Sequence, residues 1–259
     1  MSRSKKVDII KEMIDLLKKE GAISIKVASE IFEISEVTAR RYMNEIASME
    51  SLPVRRVRGG LVLETGKGSI EFMFDTKLSL NEDAKKRIAK KALEFIEDGD
   101  SIILDSGTTA FQLAKLLKGK KGLKVITVDV KIAEELGKNP DIETYIVGGL
   151  VRPGYFSIGG EMALEFLERF KVEKAFLTAD AVHPDEGITN SSMFEAHVKK
   201  LIVSSGKKVI LIADHTKVGK VAFVKVVSMD AIDVFITSKG ADENLLSKIG
   251  EYGVDVMVV

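Results

Sequence analysis

The chain has 259 residues, 39 Lys and Arg against 39 Asp and Glu, and an apolar share of 45%, so its formal net charge is zero. That leaves material for a real core and excludes a uniformly polybasic protein, so any nucleic-acid partner would have to be met by a local basic patch. With no cysteine, disulfides, thiolate metal sites and cysteine nucleophiles are ruled out.

The first residues carry Arg3, Lys5 and Lys6 and run into an amphipathic helix rather than an apolar signal core. No stretch approaches the roughly 18 uninterrupted apolar residues of a membrane span. The expected address is the cytoplasm, with no membrane partner.

Ile9, Ile10, Met13, Ile14, Leu16 and Leu17 recur at helical spacing, and Gly21 ends the run. Ser24 can cap a second helix with Val27, Ala28, Ile31 and Phe32 inward. Glu33, Ile34 and Ser35 make a tight connection, and Ser35 can cap a third helix over 36–49. Two β-rich runs flank Gly59 and Gly60 and predict a hairpin. Helix, helix, turn, helix and hairpin is the layout of a winged helix-turn-helix, placed at 1–65. Residues 66–80, with Gly66 and Gly68 and no clear period, are read as a linker. From 81 to 259 strands and helices alternate. Helices are expected at 84–96, 109–117, 130–138, 161–169, 192–204 and 242–251. Strands are expected at 101–104, 124–128, 143–147, 174–179, 208–213, 232–237 and 254–259. Continuous apolar strands such as Ile102-Ile103-Leu104 suit a mainly parallel sheet covered on both faces. The fold class is α/β: a small winged helix and a larger sensor-like domain.

On a helical wheel the third helix turns Ala39, Tyr42, Met43 and Ile46 inward, with Val37, Arg41, Asn44 and Ser48 outward and Arg40 on the flank. In a helix-turn-helix this outer face enters the major groove, where Arg reads guanine or grips phosphate and Asn reads adenine. Arg55, Arg56 and Arg58 lie on the hairpin. Residues 38–60 hold five arginines against Glu45 and Glu50, a local excess of three in a neutral chain. The rival reading is a solvated helix face and a structural ribbon.

The segment from Val27 to Met43 resembles the helix-turn-helix of the DeoR family of bacterial regulators. Ser35, Thr38, Arg40, Arg41, Arg58, Gly59 and Gly60 match its pattern. Ala39 and Tyr42 depart from the usual Ile and Asp, which leaves the operator sequence open. The resemblance implies double-stranded operator DNA as a partner.

Four expected strands end in an aspartate: Asp105, Asp129, Asp180 and Asp214. In an open α/β sheet ligands bind beyond the carboxyl ends of the strands. Asp105-Ser106-Gly107-Thr108-Thr109 opens directly into a helix, whose free N–H groups and dipole favour a phosphate. Gly107 allows close approach, Thr108 and Thr109 add hydroxyls, and Lys217 can offer a positive charge. Against this, such a turn also serves as a plain helix cap and an aspartate after a strand as a loop residue. His183, His197 and His215 show no metal-ligand spacing, so no metal or cofactor is expected.

The run 105–109, Val147-Gly148-Gly149, Glu186-Gly187-Ile188-Thr189, Glu195 and the segment from Asp214 to Gly219 resemble the DeoR sensor domain in the same order. That domain is similar in fold to ribose-5-phosphate isomerase, which implies a phosphorylated sugar as effector. Thr127-Val128-Asp129 departs from the commoner Thr-Asn-Ser, adding a carboxylate that favours hydroxyls or amines on the ligand. Asp180-Ala181-Val182-His183 lacks a more usual glycine. The expected protein is a homo-oligomeric repressor of carbohydrate-utilisation genes, a dimer or tetramer, released from DNA by its effector. Two readings compete with it. One is a sugar-phosphate isomerase or deaminase-like enzyme with a DNA-binding head; Asp180, Asp185 or Glu195 could be its base. The other is a protein–protein module.

Overall fold

The computed structural model describes residues 3–49, 54–57, 59–63 and 74–259, and divides into two compact units, Met1–Glu82 and Asp83–Val259. In the first unit α1 (Arg3–Glu20) leads through strand β1 (Ala22–Ser24) into α2 (Ile25–Ile31) and α3 (Glu36–Ala47). Strands β2 (Val54–Val57) and β3 (Gly60–Leu63) form the hairpin, and α4 (Phe74–Ser79) closes the unit. Both serine caps are made: Val27 N donates to Ser24 Oγ at 3.1 Å, and Thr38 N to Ser35 Oγ at 3.2 Å. Met13, Leu17, Ile23, Tyr42, Met43, Ile46 and Leu61 are fully buried together, each adding about 1.5–3 kcal/mol of burial.

Two features of this unit depart from expectation. Three residues before α2 form β1, which pairs antiparallel with β3 and makes the hairpin a three-stranded sheet in the order β1-β3-β2. A three-residue strand is too short to show a period. Within the segment read as linker, 66–73 lie outside the described residues, whereas Phe74–Ser79 is helical with Phe74 buried. Six residues give less than two turns of pattern, too few to read.

The second unit begins with α5 (Glu82–Leu93) and continues as β4 (Ser101–Leu104), α6 (Thr108–Leu116), β5 (Leu123–Thr127), α7 (Val130–Leu136) and β6 (Ile142–Ile146). A short hairpin, β7 (Leu150–Val151) and β8 (Ile158–Gly159), precedes α8 (Glu161–Leu167) and β9 (Val172–Leu177). Then come β10 (Ala181–His183), β11 (Gly187–Asn190), α9 (Met193–Ser205), β12 (Gly206–Ile212), β13 (Val224–Val227), β14 (Val234–Thr237), α10 (Glu243–Gly250) and β15 (Asp255–Val258). Seven strands make one parallel sheet in the order β15-β14-β12-β9-β4-β5-β6. Ile102, Ile103 and Leu104 are all 0% exposed, as strands covered on both faces must be. The helices and strands expected from 84 onward are present with ends shifted by a few residues. The small antiparallel sheet β10-β11-β13 and the β7–β8 hairpin were not expected; strands of two to four residues carry no readable alternation.

The order of the sheet decides where the chemistry collects. From β4 the chain steps to β5 and β6 on one side, then returns to place β9 on the other. The carboxyl ends of β4 and β9 therefore meet at the switch point of the sheet, the place where parallel α/β sheets receive ligands.

Candidate functional site

Asp105 follows β4 at this switch point. Its carboxylate accepts from Thr178 N and Thr178 Oγ1, both at 2.9 Å, from Ser106 N at 2.8 Å, and from Lys199 Nζ at 2.5 Å. Asp105 and Lys199 are 1% and 3% exposed, so this ion pair is removed from water. Burial opposes the Lys199 charge, but Asp105, Glu195 and Asp180 outweigh it and hold the ammonium above the usual lysine range. The single proton of Thr178 Oγ1 is shared between Asp105 and the Ser106 carbonyl, 2.6 Å away, which ties the loop after β9 to the turn after β4.

Gly107 precedes α6 with φ +137, and the side chain of Thr178 lies 3.2 Å from where a Cβ would stand. Thr108 and Thr109 open the helix and are buried. Asp129, 0% exposed, leans into the same turn: Ser106 Oγ donates to its Oδ2 at 2.7 Å and Gly107 N at 3.3 Å. Its Oδ1 caps α7, accepting from Lys131 N at 2.8 Å and Ile132 N at 3.1 Å. Desolvation outweighs these hydrogen bonds and pushes the Asp129 carboxyl up to about 6.

A second polar cluster adjoins it. Glu195, in the first turn of α9, accepts from Ser157 Oγ at 2.6 Å, from Arg152 at 3.1 Å and from Asn190 Nδ2 at 3.1 Å. Arg152 and Ser157 come from the loop between β7 and β8, which bonds to the segment just after β5 where Val130 N donates to the Phe156 carbonyl at 3.0 Å. Asp180 accepts from Ser191 N at 3.0 Å. The structure thus brings together Asp105, Gly107, Asp129, Asp180 and Glu195, with the Thr108 and Thr109 turn.

Asp214 and Lys217 form a separate set after β12. Asp214 accepts from Thr216 N at 3.0 Å and Thr216 Oγ1 at 2.5 Å. Although burial pushes the other way, Lys217, Lys85 and Thr216 hold this carboxyl below the usual aspartate range. Gly149 stands apart from the charged groups: a Cβ there would lie 2.6 Å from the Gly159 carbonyl, so its role is to let β7 meet β8.

Sequence reasoning missed Lys199, Arg152, Ser157, Asn190 and Lys85. Lys199 carried a signal. It follows Glu195 by one helical turn and sits on a face with Ala196 and Ile202, where a lone lysine among buried residues asks for a partner. Arg152 and Ser157 lie in an irregular loop and carried none.

In the first unit Arg40, Arg41 and Asn44 are exposed on α3, as is Val37 at 79%. Ser35 and Thr38 are joined by their hydroxyls at 2.9 Å in the helix cap. Arg56 donates from Nε to Asn44 Oδ1 at 2.7 Å and from a guanidinium nitrogen to the Gly60 carbonyl at 2.6 Å, linking hairpin to helix. Burial and the neighbouring Arg40 lower its pKa, so these two arginines share one patch of positive potential. Arg55 is exposed, Gly59 is half-buried in the turn, and Arg58 lies outside the described residues. A Cβ on Gly60 would fall 2.2 Å from the Ile23 carbonyl, so glycine is what lets β3 lie against β1. Among the described residues no helix is long and apolar enough to cross a membrane, and no three metal-ligating side chains come together.

A model of the DeoR C terminal sensor domain matches residues 80–239, and one of the DeoR-like helix-turn-helix domain matches residues 10–67. A protein of Escherichia coli strain K12 named for transcriptional regulation of the sgc region is 39% identical over 97% of this chain and 96% of its own. The glycerol-3-phosphate regulon repressor of the same strain is 26% identical over 94% of this chain and 95% of its own. Among solved structures, ribose 5-phosphate isomerase A from Methanocaldococcus jannaschii aligns at 18% identity and TM-score 0.39, covering 53% of this chain and 55% of that one.

Proposed function

The chain belongs to the DeoR family of transcriptional regulators, and on that footing we propose that it represses carbohydrate-utilisation genes and releases operator DNA when a phosphorylated sugar occupies its sensor domain. It is a regulator and not a sugar-phosphate isomerase or deaminase.

The observation that carries the effector reading is the buried, cross-linked polar cluster at the switch point between β4 and β9. The sugar's phosphate sits at the N-terminus of α6, from the Ser106–Gly107 turn to the amides and hydroxyls of Thr108 and Thr109, where the helix dipole favours an anion. Carboxylates at 105, 180 and 195 receive its hydroxyls, Asp129 faces its phosphate across the Ser106–Gly107 turn, and Lys217, from the separate set after β12, adds charge. The name of the glycerol-3-phosphate repressor is consistent with a phosphorylated effector for this chain. On the DNA side Arg40, Arg41 and Asn44 read the major groove with Ser35 and Thr38 setting the helix start. Arg55, Arg56 and Arg58 grip phosphates from the Gly59–Gly60 hairpin. A homo-oligomer, dimer or tetramer, presents paired heads to a two-fold operator. Release requires that the sugar phosphate bind the two states of the protein unequally, by a coupling of about 1–3 kcal/mol.

Gel shift on operator fragments, with and without pentose and hexose phosphates, tests the reading. Lys217→Ala and Thr108→Val are expected to weaken the effector response with operator binding intact. Specific DNA binding that no sugar phosphate alters would overturn the effector half; no specific binding at all would overturn the whole.

A further inference from the structure

We propose that Asp129 determines which ligands the Ser106–Gly107 turn accepts, because its carboxylate is a built-in competitor for the anionic group of the effector. The inference rests on the phosphorylated-sugar reading above and sharpens it. An anion at this turn needs the donors that lie just before α6. Two of them, Ser106 Oγ at 2.7 Å and Gly107 N at 3.3 Å, already point at Asp129 Oδ2. The Asp129 side chain cannot simply swing away, because Oδ1 holds the N-terminus of α7 through Lys131 N and Ile132 N. A ligand phosphate placed here therefore meets, at close range, a fixed carboxylate that is itself 0% exposed and so little screened by water.

The conflict disappears when Asp129 is protonated. A carboxylic acid keeps one acceptor for the α7 cap and gains a donor for the ligand. The charged groups packed around it do not supply the missing neutralisation. Asp105, on the turn after β4, is bound to Lys199 of α9. Lys131, on α7, pairs with Glu134 at 3.2 Å and lies over the Phe156 ring. Arg152, in the β7–β8 loop, pairs with Glu195 of α9 at 3.1 Å. With the Asp129 carboxyl at about 6, affinity for an anion falls as pH rises through that value. At pH 7.5 only about 3% of Asp129 is neutral, so binding through the neutral form alone is about 30-fold weaker than with Asp129 permanently uncharged.

Asp129→Asn provides that uncharged state. Its oxygen keeps the cap, since Asn is as good an N-cap as Asp, and its amide turns a donor toward the turn. Isothermal titration of the full chain with inorganic phosphate, ribose 5-phosphate and glucose 6-phosphate, at pH 5.5 and 7.5, measures the ratio of the two proteins' affinities. The ionisation of each probe cancels in that ratio. The expected result is a variant about 30-fold tighter at pH 7.5 and within about twofold at pH 5.5. Glucose 6-sulfate, whose charge is constant over this range, checks the wild type alone: its affinity should drop about tenfold or more over the same interval. Equal affinities of variant and wild type at both pH values, or sulfate-ester binding that ignores pH, overturn the role of Asp129 and leave the sugar-phosphate reading standing. If no phosphorylated probe binds either protein, both fall together.

Discussion

Removing one partner of the Asp105–Lys199 pair perturbs the site where its charge is most deeply buried. The two residues are 1% and 3% exposed, so a charge deprived of its direct partner is hardly screened by water, and for Lys199 only the longer-range fields of Glu195 and Asp180 remain. In Asp105→Ala the Lys199 ammonium keeps Thr178 Oγ1 at 3.0 Å and the Thr178 carbonyl at 3.3 Å, both uncharged. Stranding a buried charge costs about 3–5 kcal/mol, and Thr178 N and Ser106 N lose their acceptor as well. In Lys199→Met the carboxylate retains those two amides and the Thr178 hydroxyl. The smaller loss, about 2 kcal/mol, is the difference between a carboxylate with three donors and one with four. Combining Lys199→Met with Asp105→Asn removes both charges and should cost less than the sum of the single changes by about 1–3 kcal/mol. Urea unfolding of the full chain followed by far-ultraviolet circular dichroism reads the transition of the larger unit. Strictly additive costs, or a Lys199→Met change more damaging than Asp105→Ala, would refute the claim that electrostatic pairing holds this turn in place.

Three further predictions concern other parts of the chain. Arg40→Ala with Arg41→Ala should leave the fold intact, since both side chains are exposed, yet lower operator affinity and flatten the salt dependence of log K by about two units of slope; an unchanged slope in fluorescence anisotropy would remove these arginines from the interface. Gly60→Ala puts a Cβ 2.2 Å from the Ile23 carbonyl, so the β1–β3 pairing must open at a cost of about 2–4 kcal/mol. Thermal melting should show the smaller unit destabilised, and a wild-type melt would count against the packing role. The third prediction is Asp129→Asn as a stability probe. A carboxyl raised to about 6 in the fold from the 3.8 of an ordinary aspartate binds its proton more tightly when folded. Its stabilising effect is therefore complete below about pH 4 and lost as pH rises to about 6, up to about 3 kcal/mol in all. The variant should thus melt higher than wild type at pH 7.5 and show no gain near pH 4; a constant offset at both pH values would contradict the shift.

The sequence was most legible where local chemistry and global arrangement agree. Ser35 caps α3 and Ala39, Tyr42, Met43 and Ile46 pack inward, because a 3.6-residue period and a cap are both written into consecutive residues. The parallel strands were legible for a similar reason: burial on both faces demands unbroken apolar runs. What could not be read depends on distant partners. Strand β1 exists because Leu61 lies opposite Ile23, and β11 because β10 and β13 flank it. The same holds in the site. Asp105, Asp129, Asp180 and Asp214 were visible as strand-end carboxylates, but nothing in the chain order said that Lys199, 94 residues after Asp105, would neutralise one of them.

That distinction bears on how motif residues are assigned roles. Gly59, Gly60 and Gly149 stood among the candidate contact residues because they belong to family patterns, yet Gly60 and Gly149 each sit where a Cβ would collide with a backbone carbonyl, at 2.2 and 2.6 Å. Shape alone requires glycine there, whatever the ligand. Asp129 is the opposite case. Backbone geometry asks only for an α7 cap, which Ser, Thr or Asn would satisfy; the choice of an ionisable group, buried against Ser106 and Gly107, carries a cost in stability at neutral pH. Under the role proposed above, what the carboxylate does to the ligand is the reason to keep a residue that shape does not require and stability disfavours. The departure from the family pattern at this position therefore weighs more in assigning the effector than the matches at the glycines.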